Sequence, residues 1–197
     1  MSLTRKMGKL ILIWSVLSSL TGSAAVFTFE SLPLSTATPF DDTSDGITAS
    51  FTSPDAAAFS ISPGLLFSTL SGQVLQEVPS PTMHTLQIAF DTPLQSITLQ
   101  FALNGAQSHT LSIEAWRGST QVGSASAFGT IPPLGLFPEG TLSFNAGAFD
   151  MVQLISTAED FAVDNIDAVV IPEPASVVLT VAALAALLTA SGKRKAA

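Results

Sequence analysis

From residue 26 to residue 171 the apolar side chains fall at every second position, and this spacing constrains the fold more than any other feature. Leu86, Ile88 and Phe90 alternate with Thr85, Gln87, Ala89 and Asp91. Ile97, Leu99, Phe101 and Leu103 alternate with Thr98, Gln100 and Ala102, and Leu111, Ile113 and Ala115 with Thr110, Ser112, Glu114 and Trp116. Successive side chains of a strand point to opposite faces, so these runs read as half-buried strands. Shorter candidates are 26–30, 47–52, 58–61, 141–144, 151–155 and 161–170. Asp91-Thr92-Pro93, Asn104-Gly105, Arg117-Gly118-Ser119 and Asn145-Ala146-Gly147 read as the turns between them. Gly118-Ser119 is expected to join 111–117 to 121–127 as a hairpin. No window carries an apolar stripe at helical spacing. Roughly eight to ten short strands predict an all-β domain, a β-sandwich of jelly-roll type. Ile131-Pro132-Pro133-Leu134-Gly135-Leu136-Phe137-Pro138 is excluded from a regular strand, because its prolines remove backbone donors. It is expected as a loop at one end of the sandwich, with its Leu and Phe forming a contact surface.

Charge divides the chain into three parts. Of the seven basic residues in 197, Arg5, Lys6 and Lys9 lie at one end and Lys193, Arg194 and Lys195 at the other, leaving Arg117 alone between them. Residues 26–171 hold 14 acidic residues against that one base, a net charge of −13. Binding of nucleic acid by counterion displacement needs clustered Lys and Arg, so nucleic acid is excluded as a partner. The chain has no Cys, which excludes disulfides, thiolate-held metals and a thiol nucleophile.

The two end segments read as targeting signals. Arg5, Lys6 and Lys9 precede the apolar run Leu10 to Leu20, and Gly22-Ser23-Ala24-Ala25 follows. This order is that of a cleaved signal peptide, residues 1–25. An uncleaved anchor is disfavoured, because a helix over that run rises only about 16 Å against roughly 30 Å of hydrocarbon. At the other end Pro172-Glu173-Pro174 precedes an uncharged, Ala- and Leu-rich stretch over about 175–190, and then Lys193-Arg194-Lys195. The prolines hold the chain extended just before the stretch. The basic cluster is expected to stay cytoplasmic, leaving 26–171 outside the inner membrane.

This three-part ending, residues 172–197, resembles the PEP-CTERM sorting signal of exported proteins in exopolysaccharide-producing Gram-negative bacteria. The resemblance implies that an exosortase acts on the motif Pro172, Glu173 and Pro174. It further implies a transient inner-membrane anchor through a single transmembrane helix, then release to the outer surface or extracellular matrix. A looser resemblance links 26–171 to calcium-containing carbohydrate-binding modules of galactose-binding-like fold. It rests on the opening Phe27-Thr28-Phe29-Glu30 and the closing Phe161-Ala162-Val163-Asp164-Asn165-Ile166.

The search for chemistry in 26–171 turns up little that is catalytic. His84 and His109 lack a nucleophile motif such as Gly-x-Ser-x-Gly and read as exposed strand-end residues. There is no phosphate loop and no His-Glu-x-x-His pair. Asp41-Asp42-Thr43-Ser44-Asp45-Gly46 offers oxygen ligands on what reads as an irregular loop, the donor type calcium takes. Asp164 shares a period-two face with Ile166 and Ala168. It needs a cation or several donors if that face is the core side, and neither if a bulge turns it outward. The resemblance to calcium-containing modules implies a structural Ca²⁺ held by Glu30 and Asp164, with Asp41, Asp42 and Asp45 as further candidates. Trp116 and Arg117 are candidate ligand-binding residues, because an exposed indole beside the only cation can stack on a sugar ring and hydrogen-bond its hydroxyls. The leading expectation is an exported surface or matrix protein without catalytic activity. A carbohydrate-binding module is the alternative, and an acid-dependent polysaccharide hydrolase a distant third.

Overall fold

A computed structural model describes residues 23–54, 57–79, 84–105 and 108–171. The signal-peptide run, the sorting motif Pro172, Glu173 and Pro174, the apolar stretch and Lys193, Arg194 and Lys195 all lie outside these residues. Ala24–Ile171 is one compact unit containing every residue of the main core, so it has what a domain needs to fold by itself.

The described residues are all-β, without a helix, in the order β1 (Ala24–Phe27), β2 (Phe40–Ser44), β3 (Ile47–Thr52), β4 (Phe59–Pro63), β5 (Gln73–Glu77), β6 (Thr85–Leu103), β7 (Thr110–Arg117), β8 (Thr120–Phe128), β9 (Glu139–Ser156) and β10 (Phe161–Val170). Every pairing between them is antiparallel. The first strand begins at Ala24, two residues ahead of the boundary expected after Ala25, and Ala25 is wholly buried opposite Ala168.

Two long strands build both layers. The first part of β6 lies between β3 and the end of β9, and β7 and β8 continue that layer. The second part of β6 lies between β10 and the start of β9, and β10 carries β5 and β1 on its other side. Register shifts between Ala89 and Leu94, and between Leu94 and Ser96, separate the parts. Bulges bend and twist a strand, and strands that switch sheets through them form the corners of a sandwich. The burial phase records the corner: Leu86, Ile88 and Phe90 are buried before it, and Ile97, Leu99 and Phe101 after it. Asp91-Thr92-Pro93 and Asn145-Ala146-Gly147 are therefore not turns between separate strands, as the sequence suggested, but bulged stretches within β6 and β9. The chain there bends without reversing. Across the layers, Phe27 of β1 meets Phe51 of β3 at 6.2 Å and Phe90 of β6 at 6.3 Å between ring centres.

The expected acidic loop 41–46 is instead β2 and a two-residue hairpin turn into β3, with Ser44 opposite Ile47. Asp45 and Gly46 both take positive φ, 48° and 81°, which suits the twist of a two-residue hairpin and suits Asp-Gly. The Gly118-Ser119 hairpin forms as expected, with Arg117 opposite Thr120.

Candidate functional site

Two loops converge at the end of the domain where β10 begins. The loop between β4 and β5 is closed on itself by the Gly64 N–H donating to the Gly72 carbonyl at 2.7 Å. Glu139, at the start of β9, fastens it: its carboxylate accepts from the backbone N–H groups of Ser68 (2.7 Å) and Thr69 (2.6 Å) and from the Thr69 hydroxyl (2.5 Å). A buried carboxylate is tolerated only with such donors, so Glu139 holds the loop and the loop satisfies Glu139. The second loop, 129–138, packs Phe137 against Phe67 of the first with ring centres 5.6 Å apart. Its Pro138 carbonyl accepts from the Leu103 N–H at 2.9 Å, and the Asp160 carbonyl accepts from the Asn104 N–H at 3.0 Å.

Between these elements lies a cleft of about 90 Å³. Leu66, Phe67 and Phe137 form its apolar wall, and Gln76, Asn104 and Asp160 supply polar groups. Burial raises the Asp160 carboxyl above the usual carboxylate range; the Asn104 side-chain hydrogen bond opposes that shift, and neighbouring Glu159 adds to it. A concave, mostly apolar surface with a few fixed hydrogen-bonding groups suits an amphipathic small ligand or chain end. Leu134 and Leu136 of the second loop are 103% and 68% exposed, as expected of a loop, whereas Phe137, expected to be exposed with them, is half-buried. Phe67, Gln76, Asn104 and Asp160 carried no local signal, because they come from three separate parts of the chain.

Next to the cleft, Gln76's neighbour Glu77 is buried and accepts from the His84 N–H at 3.0 Å, with His84 Nδ1 at 2.8 Å from the same oxygen. Burial raises Glu77, and His84 opposes the shift. His84 is thus not an exposed strand-end residue; it is half-buried against a carboxylate.

The structure brings Glu30 and Asp164 together. Asp164 is 1% exposed. A register shift does follow it, with Asn165 at positive φ, but the carboxylate stays inside. Its oxygens accept from the Asn165 N–H at 2.7 Å and the Asn165 side-chain amide at 3.0 Å. Burial pushes its pKa up to about 6, the backbone N–H groups of Asn165 and Ser71 oppose this, and the Glu30 charge adds to it. Glu30 in turn accepts from the Gln73 N–H at 2.8 Å, and the Gln73 side-chain oxygen is buried without a partner. A Cβ on Gly72 would overlap the Glu30 carboxylate, so this close approach requires glycine there. The Asp164 and Glu30 carboxylates and the Gln73 side-chain oxygen are oxygen ligands of the type a hard cation takes, although N–H groups of Asn165, Ser71 and Gln73 already serve the two carboxylates. Among the described residues no three acidic or histidine side chains converge, so a cation here would need the Gln73 oxygen, backbone carbonyls or water beside Glu30 and Asp164. Asp41 and Asp42 are otherwise engaged, accepting from the Ser50 hydroxyl at 2.6 Å and the Thr43 N–H at 2.9 Å, and Asp45 occupies the hairpin turn.

Trp116 is half-buried near the far end of β7, opposite Met151, and its indole N–H is buried without a partner; Arg117 beside it is exposed. They lie at the opposite end of β7 from Thr110, and hence away from the cleft.

These features define an antiparallel all-β domain with a small cleft at one end. The chain matches no family model and no curated protein. Solved structures similar to it include the K1 cleaved adhesin domain of Lys-gingipain from Porphyromonas gingivalis (TM-score 0.47, 12% identity, 75% of this chain and 98% of that one). Others are a family 29 carbohydrate-binding module from Piromyces equi (0.39, 12%, 76% and 91%) and the C-terminal CBM6 of a marine laminarinase from Zobellia galactanivorans (0.39, 12%, 75% and 99%).

Proposed function

We propose that residues 24–171 form a non-catalytic jelly-roll module that binds carbohydrate in the cleft between the two loops, as part of an exported surface or matrix protein. The observation that carries this reading is the pairing of an aromatic wall, Phe67 and Phe137, with Gln76, Asn104 and Asp160 in one concavity. A sugar ring has an apolar C–H face and a hydroxyl edge. The rings take the face and the three polar side chains take the edge. The cleft lies at the Phe161 end of β10, roughly 30 Å along the strand from Ile171. Export and exosortase processing through Pro172, Glu173 and Pro174 belong to the same proposal and rest on the sequence pattern. A Ca²⁺ at Glu30 and Asp164 is proposed as structural, tying β1 and the β4–β5 loop to β10.

Retention on insoluble polysaccharides and on a glycan array tests the reading. Phe137→Ala and Asp160→Ala should each lower retention at least tenfold with the fold intact. Loss on Trp116→Ala, with the cleft variants unaffected, would move the site to Trp116 and Arg117. Retention unchanged in all three would refute carbohydrate binding at either place.

A further inference from the structure

The carboxylates around the cleft have no matching cation in its lining. Asp160 is half-buried in the wall, and neighbouring Glu159 pushes it further above the usual carboxylate range. The buried Glu77 is raised in its turn by the charge of Asp160. Among the described residues no Lys, Arg or His lines the cleft. Arg117, the only Lys or Arg between residues 26 and 171, ends β7 on the far side. His84 Nδ1 is 2.8 Å from Glu77, and His109 Nδ1 is 3.3 Å from the Thr157 hydroxyl.

We infer that the cleft selects a sugar carrying a free, protonated amino group, with the ammonium on the Asp160 carboxylate and the ring against Phe67 and Phe137. This rests on the carbohydrate reading and narrows it. A carboxylate drawn partly out of water loses hydration, which is what raises Asp160. The Asn104 side chain returns a hydrogen bond but no charge. A neutral sugar hydroxyl does the same. An ammonium returns both, and a charge-assisted hydrogen bond is roughly twice as strong as a neutral one. The wall favours the same ligand, because the faces of Phe67 and Phe137 attract a cation within about 6 Å of the ring centre. Gln76 and Asn104 each present a donor and an acceptor to the remaining hydroxyls. A uronic, sulfated or phosphorylated sugar would instead meet Asp160 and Glu159 with no cation to balance it. The −13 of residues 26–171 draws cationic ligands in and turns anionic ones away.

Calorimetric titration of the full-length chain in neutral detergent, at about pH 6.5, keeps an amine titrating near about 8 charged. Four small ligands are compared: glucosamine linked to N-acetylglucosamine, the fully N-acetylated disaccharide, a disaccharide of galacturonic acid, and n-butylamine. Physiological salt, with a Debye length of about 8 Å, screens acids elsewhere in the domain. The free-amine disaccharide should bind about tenfold tighter than its N-acetylated form, and the other two more weakly still. Asp160→Asn should bring the two glucosamine-type disaccharides to equal affinity. Asp91→Asn, which removes one charge from the exposed bulge of β6, should leave the difference intact. The inference is overturned if the parent chain binds the N-acetylated or galacturonic disaccharide as tightly, or fails to bind the free-amine one. A preference that survives in folded Asp160→Asn overturns it too. The ranking by the parent chain decides even where that variant does not fold. In each of these cases retention on polysaccharide shows separately whether the carbohydrate reading stands. Binding of n-butylamine as tight as that of the amino sugar would overturn both, since the ring would then contribute nothing.

Discussion

Asp164→Asn in the 24–171 unit isolates the electrostatic cost of one buried carboxylate. In the folded domain its pKa stands at about 6 against an ordinary 3.8. Between those values the folded state keeps a proton that the unfolded chain has released. The group therefore favours folding most below pH about 4, and that contribution is lost as pH rises through about 6. A separation of about two pK units corresponds to about 3 kcal/mol. Asp164 keeps N–H donors from Asn165 and Ser71, and Glu30 beside it is exposed, so solvent screening reduces this to about 1–2 kcal/mol. The amide variant cannot titrate. Its altered hydrogen bonding to Asn165 shifts stability by the same amount at every pH, so it drops out of the comparison between pH values. Urea or thermal unfolding in chelator, at matched ionic strength from pH 4 to pH 7, should show the variant gaining about 1–2 kcal/mol relative to the parent, a rise of about 3–6 °C in relative Tm. A relative stability that stays constant over that range, or moves the other way, would refute the assignment of a raised Asp164 pKa.

Calcium should raise the melting temperature of the same unit by several degrees at matched, high ionic strength, since a ligand at a hundredfold excess over Kd stabilises by about 2.7 kcal/mol. Asp164→Ala should abolish that increment, and Asp91→Ala, on the exposed bulge of β6, should leave it; no increment in protein first shown to be metal-free would exclude the site. Glu139→Ala removes the acceptor of three hydrogen bonds that hold the β4–β5 loop. It should cost about 2–4 kcal/mol in urea unfolding. It should also speed protease cleavage within 64–72, and wild-type resistance of that loop would count against its role as the fastening.

Local chemistry made most of the strands and the Gly118-Ser119 hairpin legible, because alternation and Gly-Ser act within a few residues, whereas the Asp45-Gly46 hairpin was read as part of an irregular loop. The β3 and β10 ranges, 47–52 and 161–170, could be read from β-branched and aromatic residues at period two. Asp164 could be marked as an inward carboxylate from its place beside Ile166 and Ala168. The exposed loop 131–138 followed from its prolines. Tertiary structure decided the rest. Pro93 and Gly147 are turn formers by local rule, yet β6 and β9 continue past them, because their pairing to each other on both sides of the corner outweighs the local preference to reverse. Glu30 meets Asp164, Glu139 reaches Ser68 and Thr69, and Glu77 takes up His84 only because the sheets bring distant segments together. The cleft arises in the same way, where Phe67, Asn104, Phe137 and Asp160 are carried to one end by four different connections. Sequence periodicity sets which face of a strand is buried, but which strands face each other is settled by the packing of the whole core.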